Sequence, residues 1–461
     1  MGLASQSAVQ EQDPAKKVKL TYKRVCSLAK HYYIETMGCQ MNEYDSDHLS
    51  RILEDSGYLP ASEPDKADFV LVNTCSVRAK AEQKALSRLG RLVALKKKNP
   101  RLLLAVAGCV AQQRGTELLE RFPDLDLVLG PREIGRFKEI LRKAENGGTR
   151  LAAVNSHRTP VPFMGRFEYF RNSVKAYLTI MEGCNNFCSY CVVPYVRGRE
   201  TSRPPREILE EARNLALQGV KEITLLGQNV NSYVYENTRF SGLLEAMNEI
   251  NDIHRIRFTT SHPKDLSPEM IQCFTGLDKL CPHIHLPFQA GSNRILKAMK
   301  RGYTREKYMD LIRELRQARS GIAVTSDVMV GFPGETDDDF ELTLDLIRNI
   351  EFDNLFSFKY SDRQGTPAAR MKGKIPEDLK LERLDRLQRL QREITLRKNK
   401  ELVGKSIEVL VEGKSKKGEQ LTGRTGENKV VNFTCNNRYI SILVNVKIKR
   451  ASFNSLWGEL T

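Results

Sequence analysis

The chain of 461 residues has no long apolar run. Its longest, Leu102 to Ala111, is far below the roughly 20 residues that span a bilayer. That excludes a transmembrane helix. The first 24 residues are polar and carry no apolar core, so no signal peptide is read there. The ten cysteines are scattered through a chain long enough to fold on ordinary cores, which excludes a small disulfide scaffold. Internal repeats and low-complexity tracts are absent. The histidines are not at zinc-finger spacing. These absences leave a cytoplasmic protein with reduced thiols as the expectation, and no membrane partner.

The charge balance is +16, an excess that favours a polyanionic partner. Residues 1–29 are polar and lysine-rich and read as a mobile tail. From residue 30 to 147, short apolar segments (HYYIET, DFVLVNT, LLLAVAG, LDLVLG) alternate with helical patterns, the signature of a parallel sheet. A second alternating series over 170–400 gives about six β/α units, fewer than the eight of a full barrel. It ends in a long charged helix. Residues 403–461 are strand-rich and suggest a small antiparallel barrel of about five strands. The fold class is therefore α/β: a parallel-sheet domain, a partial (β/α)6 barrel and a small terminal β-barrel.

Cys39, Cys75 and Cys109 each follow a strand of the first series, 36 and 34 residues apart. Carboxyl ends of neighbouring parallel strands share one edge, so three distant cysteines would meet there. Cys184, Cys188 and Cys191 form a C-x3-C-x2-C triplet after the first strand of the second series, with no fourth cysteine nearby. Zinc with a remote fourth ligand and an iron–sulfur cluster both fit that count. A cubic cluster held by three thiolates keeps one iron open, as catalytic metals do.

The triplet, with Tyr190 before its last cysteine, resembles the radical S-adenosylmethionine superfamily. The segments IETMGCQMNEYDSD, VNTCSVRAKAEQK, GCVAQQ, LLGQNVNSY, LPFQAGSNRILKAMKRGYTRE and GFPGET narrow this to the methylthiotransferases. Within them the chain looks like the branch acting on isopentenylated adenosine in tRNA. The final segment resembles a TRAM domain, an RNA-binding barrel. The resemblance runs from about residue 30 to 461.

The resemblance implies two 4Fe–4S clusters and S-adenosylmethionine. Cys184, Cys188 and Cys191 would hold the radical-generating cluster, and Cys39, Cys75 and Cys109 an auxiliary one that carries sulfur, the two facing each other across the substrate. Tyr190 would support the cofactor's adenine. Gly227, Gln228 and Asn229 stand where the superfamily often has Gly-Gly-Glu to hold the cofactor's amino group, and Gln228 is a neutral acceptor there. Gln289, Ser326 and Asp327 would meet the ribose or carboxylate, and Gly331–Glu335 would line the adenine pocket.

The implied activity is methylthiolation of carbon 2 of N6-isopentenyladenosine in the tRNA anticodon stem-loop. It would be carried out by a monomer fed by an electron donor. Sister branches act on threonylcarbamoyl-adenosine or on an aspartate of a ribosomal protein. A non-catalytic, zinc-containing RNA-binding protein is the alternative of another class. Cys26, Cys273, Cys281 and Cys435 have no partners at metal spacing and read as structural. The basic runs LKKKNPR and RGYTREK read as solvated faces. Phe433, Tyr439 and Trp457 read as core of the terminal barrel.

Overall fold

A computed structural model describes residues 29–76, 79–147, 150–154, 174–415 and 420–461. The expected mobile tail and Cys26 lie outside the described residues. The chain divides into two units, Met1–Val161 and Pro162–Thr461.

The first unit runs β1 (His31–Met37), α1 (Gln40–Glu54), β2 (Leu59–Pro60), β3 (Phe69–Thr74), α2 (Ala79–Lys98), β4 (Leu103–Gly108), α3 (Cys109–Arg114), α4 (Thr116–Arg121), β5 (Leu127–Leu129), α5 (Phe137–Glu145) and β6 (Leu151–Ala153). The strands pair in the order β2-β1-β3-β4-β5-β6, all parallel. Every residue of β3 is buried, which is why it reads as an unbroken apolar run rather than an alternation. Val70, Val72, Leu104 and Val106 pack with Ala85, Leu89 and Leu92 of α2. Phe69, on the other face, meets Tyr58 and Phe137. The edge strand β6 carries the sheet beyond residue 147, where the sequence pattern had ended it.

The second unit opens with β7 (Lys175–Thr179) and a short antiparallel pair, β8 (Met181–Glu182) and β9 (Thr201–Ser202), with α6 (Val193–Val196) between them. There follow α7 (Pro205–Leu217), β10 (Glu222–Leu226), a hairpin of β11 (Val234–Tyr235) and β12 (Thr238–Arg239), α8 (Phe240–Asn248), β13 (Arg255–Phe258) and α9 (Pro268–Gly276). Then come β14 (His283–His285), α10 (Asn293–Ala298), α11 (Arg305–Ala318), β15 (Ala323–Val330), α12 (Asp337–Ile350), β16 (Asn354–Lys359) and α13 (Glu377–Lys400). Strands β7, β10 and β13 form one parallel sheet and β14, β15 and β16 another. A parallel bridge between Ile256 and Leu280 joins them, giving the six-stranded open barrel that the six β/α units implied. Ala176, Leu178, Ile223, Leu225, Ile256 and Phe258 face the helices and make the main core.

Strands β17 (Ser406–Lys414), β18 (Leu421–Thr425), β19 (Val430–Phe433), β20 (Leu443–Ala451) and β21 (Leu456–Leu460) close a barrel in the order β17-β18-β19-β21-β20. Its pairs are antiparallel except β19 with β21. Phe433 is core, but Trp457 is only half-buried, and the Arg450 guanidinium lies 4.7 Å from its ring centroid. The amino ends of the central strands meet this barrel. Buried Arg257 donates to the carbonyls of Thr425 and Gly426, at 2.7 and 2.8 Å, and pairs with Glu222 at 3.0 Å. Arg255 reaches Glu408 at 3.0 Å.

Candidate functional site

In the first unit, parallel register aligns Met37 with Thr74 and Thr74 with Gly108. Cys39, Cys75 and Cys109 follow these residues on three adjacent strands, so the topology brings them to one sheet edge. Cys39 is exposed, and Cys75 and Cys109 are buried. Gly108 has φ +92°, and a Cβ there would lie 2.2 Å from the Thr74 carbonyl. Only glycine lets β4 turn directly into Cys109 at this spacing.

Beneath this edge lies a buried carboxamide pair. Asn42 donates to the Asn73 side chain at 3.0 Å and to the Thr74 carbonyl at 3.1 Å. Its own oxygen accepts from the Cys39 backbone N–H at 3.2 Å. Asn73 donates back to the Asn42 carbonyl at 2.9 Å and to Ser46 Oγ at 3.0 Å. The loops bearing Cys39 and Cys75 are thereby tied to each other.

In the second unit, the triplet loop leaves β8 through Gly183, φ +79°, where a Cβ would lie 2.1 Å from the Arg199 carbonyl. The Cys184 N–H donates to the Gly198 carbonyl at 3.0 Å. Ser189 ties the loop to Met299 and Ala298 through its backbone N–H, 3.0 Å, and its hydroxyl, 2.9 Å. The Cys191 N–H donates to the Cys188 carbonyl at 3.0 Å. Burial pushes the Cys184 thiol up to about 11, with Glu200 and Cys188 adding to it against the Asn186 N–H. Burial, then the neighbouring Cys188, pushes Cys191 up to about 12. Cys188 thus opposes ionisation of both Cys184 and Cys191, which a bound cation would relieve. Among the described residues, no three His, Cys, Asp or Glu side chains converge on a single-ion site. Thiolates of a cubane bind separate irons and need no such convergence.

Tyr190 packs against the apolar cluster that includes Met299, Phe332 and Tyr360, and its hydroxyl oxygen accepts from Arg301 at 3.5 Å. The Gln228 side-chain oxygen accepts from the Gly183 N–H, and its amide nitrogen is buried without a hydrogen-bond partner among the described residues. Asn229 donates to Asp265 at 2.7 Å, while its side-chain oxygen has no partner among the described residues. Gln289, φ +66°, bridges to β15 through its backbone. Asp327 lies 3.4 Å from His285 Nε2. The Ser326 hydroxyl donates to the Leu286 carbonyl at 2.7 Å and accepts from the Phe288 N–H at 2.9 Å, so both its roles are used within the barrel. Glu335 of the GFPGE segment turns to α13, where it pairs with Arg383 at 2.8 Å.

Known-family models match three stretches: the radical SAM superfamily over residues 178–347, the uncharacterized protein family UPF0004 over 31–130, and the TRAM domain over 400–461. A tRNA-2-methylthio-N(6)-dimethylallyladenosine synthase of Syntrophus aciditrophicus is 51% identical over 436 residues, 94% of each chain. The synthase of the same name from Geobacter sulfurreducens is 47% identical, covering 94% of this chain and 97% of its own. The chain belongs to the tRNA-2-methylthio-N(6)-dimethylallyladenosine synthase family.

Among solved structures, the radical S-adenosylmethionine methyltransferase TsrM of Kitasatospora setae matches 74% of each chain with a TM-score of 0.56 at 18% identity. The cobalamin-dependent radical enzyme OxsB matches 80% of this chain and 57% of its own, with a TM-score of 0.50 at 13% identity. These likenesses concern the fold alone. For this synthase-family chain, sequence reasoning missed Asn42 and Asn73, and it misread Arg301. In RGYTREK, Arg301 reads as solvated charge, yet it is 5% exposed and bonded to Cys188. Nothing in its spacing separates it from a surface arginine.

Proposed function

We propose that the chain methylthiolates carbon 2 of N6-isopentenyladenosine beside the tRNA anticodon, with S-adenosylmethionine as cofactor. Identity of 51% over 94% of a relative named for that product carries the reading. The donor set fits the implied groups. Cys184, Cys188 and Cys191 would hold one 4Fe–4S cluster, and Cys39, Cys75 and Cys109 a second. The buried, unpartnered Gln228 amide nitrogen and Asn229 oxygen suit the polar end of an amino-acid moiety.

When bound, the clusters and cofactor supply an electron, a carbon radical and the transferred sulfur. The chain's own residues orient these groups. Gln228 and Asn229 would hold the methionyl amino group, Gln289 and Asp327 the ribose or carboxylate, and Tyr190 one wall of the adenine site. Ser326 would act by holding Phe288 and Gln289 in place. The terminal barrel would grip RNA, with the Arg450–Trp457 pair offering a charged, stackable surface. The reading expects a monomer in the cytoplasm with an external one-electron donor.

The test is nucleoside mass spectrometry of tRNA from a strain lacking the gene, with and without the chain restored. The methylthio derivative of isopentenyladenosine should appear only on restoration. A product derived from threonylcarbamoyl-adenosine instead would overturn the substrate assignment.

A further inference from the structure

Arg301 is a buried cation that pairs with no carboxylate among the described residues. Its Nη2 donates to the Pro287 carbonyl at 2.7 Å, Nε to Tyr303 Oη at 3.2 Å, and Nη1 to Cys188 Sγ at 3.4 Å and Tyr190 Oη at 3.5 Å. The guanidinium also lies 5.3 Å from the Tyr303 ring centroid. None of these bonds reaches a carboxylate; the guanidinium meets Tyr303, Tyr190, the Cys188 sulfur and the Pro287 carbonyl. Burying an unpaired charge is costly, so such a group persists where an anion faces it. Of the groups it hydrogen-bonds, Cys188 is the one that becomes an anion when metal binds.

The segment carrying Arg301 is built onto the triplet loop. Ser189 bonds Met299 and Ala298, and the Arg301 N–H donates to Leu296 at 3.0 Å, closing α10. Tyr303 Oη donates to the Phe288 carbonyl at 2.8 Å and fixes the other side. The guanidinium is therefore held against the Cys188 sulfur rather than reaching it by chance.

We propose that Arg301 is a positioning residue that supplies the counter-charge for the cluster at Cys184, Cys188 and Cys191 and so raises its reduction potential. The inference rests on the functional reading above. Three thiolates leave a cubane with net negative charge, and one electron from an external donor makes it one unit more negative. A fixed positive charge and an N–H donor at a ligand sulfur favour that reduced state.

The experiment is an anaerobic potentiometric titration followed by electron paramagnetic resonance, with dithionite as electron donor and no S-adenosylmethionine. It uses the full chain carrying Cys39→Ala, Cys75→Ala and Cys109→Ala, so that one cluster signal remains. Arg301→Gln should keep its iron and show a more negative midpoint than the parent, with Arg301→Lys between the two. If only the lysine variant folds, its midpoint alone decides. An unshifted midpoint overturns the proposal, even where S-adenosylmethionine affinity falls. Loss of iron with unchanged thermal unfolding also overturns it, since Arg301 would then serve assembly. A parent that binds no iron at this triplet sinks the functional reading instead, a result separate from an unshifted midpoint.

Discussion

Asn42 and Asn73 exchange hydrogen bonds beneath the edge that carries Cys39, Cys75 and Cys109. One carboxamide joins the other at 3.0 Å, and Asn73 returns a bond to the Asn42 carbonyl at 2.9 Å. Both are fully buried. Such a pair contributes only while complete, because each buried group left alone costs about 1–3 kcal/mol.

Asn73→Ala should therefore loosen the loops of Cys39 and Cys75 together. Iron in the reconstituted chain should fall from about eight per chain toward about four. Deoxyadenosine formation at the other triplet should persist. Iron and sulfide analysis checks this, and full iron retention would show that the pair does not position the cysteines.

Arg257 ties the terminal barrel to the central one through two carbonyls and Glu222, all in buried surroundings. Arg257→Ala leaves the buried Glu222 side chain without this partner, at a cost of about 3 kcal/mol. Limited proteolysis should then cut the segment around Leu402–Lys405 faster than in the unaltered chain, and the melting temperature should fall.

Asp339 caps α12 and bonds the buried Ser292 hydroxyl at 2.5 Å, along with Arg294 and the Thr336 N–H. Burial alone would push its carboxyl up, but these bonds outweigh it and hold it at about 2. A depressed value stabilises the fold above the ordinary carboxylate range, and that contribution is lost as pH falls through the folded value. The melting advantage over Asp339→Asn should be constant above about pH 5 and shrink between about 4 and 2. An advantage independent of pH would contradict the assignment.

The strand-end cysteines were legible because each stands just past an apolar run, and a parallel sheet turns that position into a shared edge. Strands β2 and β6, of two and three residues, are too short to leave a pattern. Strand β18 (LTGRT) leaves little pattern because, of its buried positions, Leu421 is apolar but Gly423 and Thr425 are small or polar. The phenylalanine expected in the terminal core is there, but Trp457 is half-buried, since its strand faces outward at that point. Arg301 was misread because a charged residue's burial depends on partners far away in sequence, here Cys188, and the Glu335–Arg383 pair is of the same kind.

The central claim is that each set of three cysteines binds its own iron–sulfur cluster. Iron and sulfide analysis with Mössbauer spectroscopy tests it most directly, on the unaltered chain and on two variants, each lacking one set of three. The account predicts about eight irons in the unaltered chain and about four in either variant. Stoichiometric zinc without iron, or an iron content that neither replacement lowers, would contradict it.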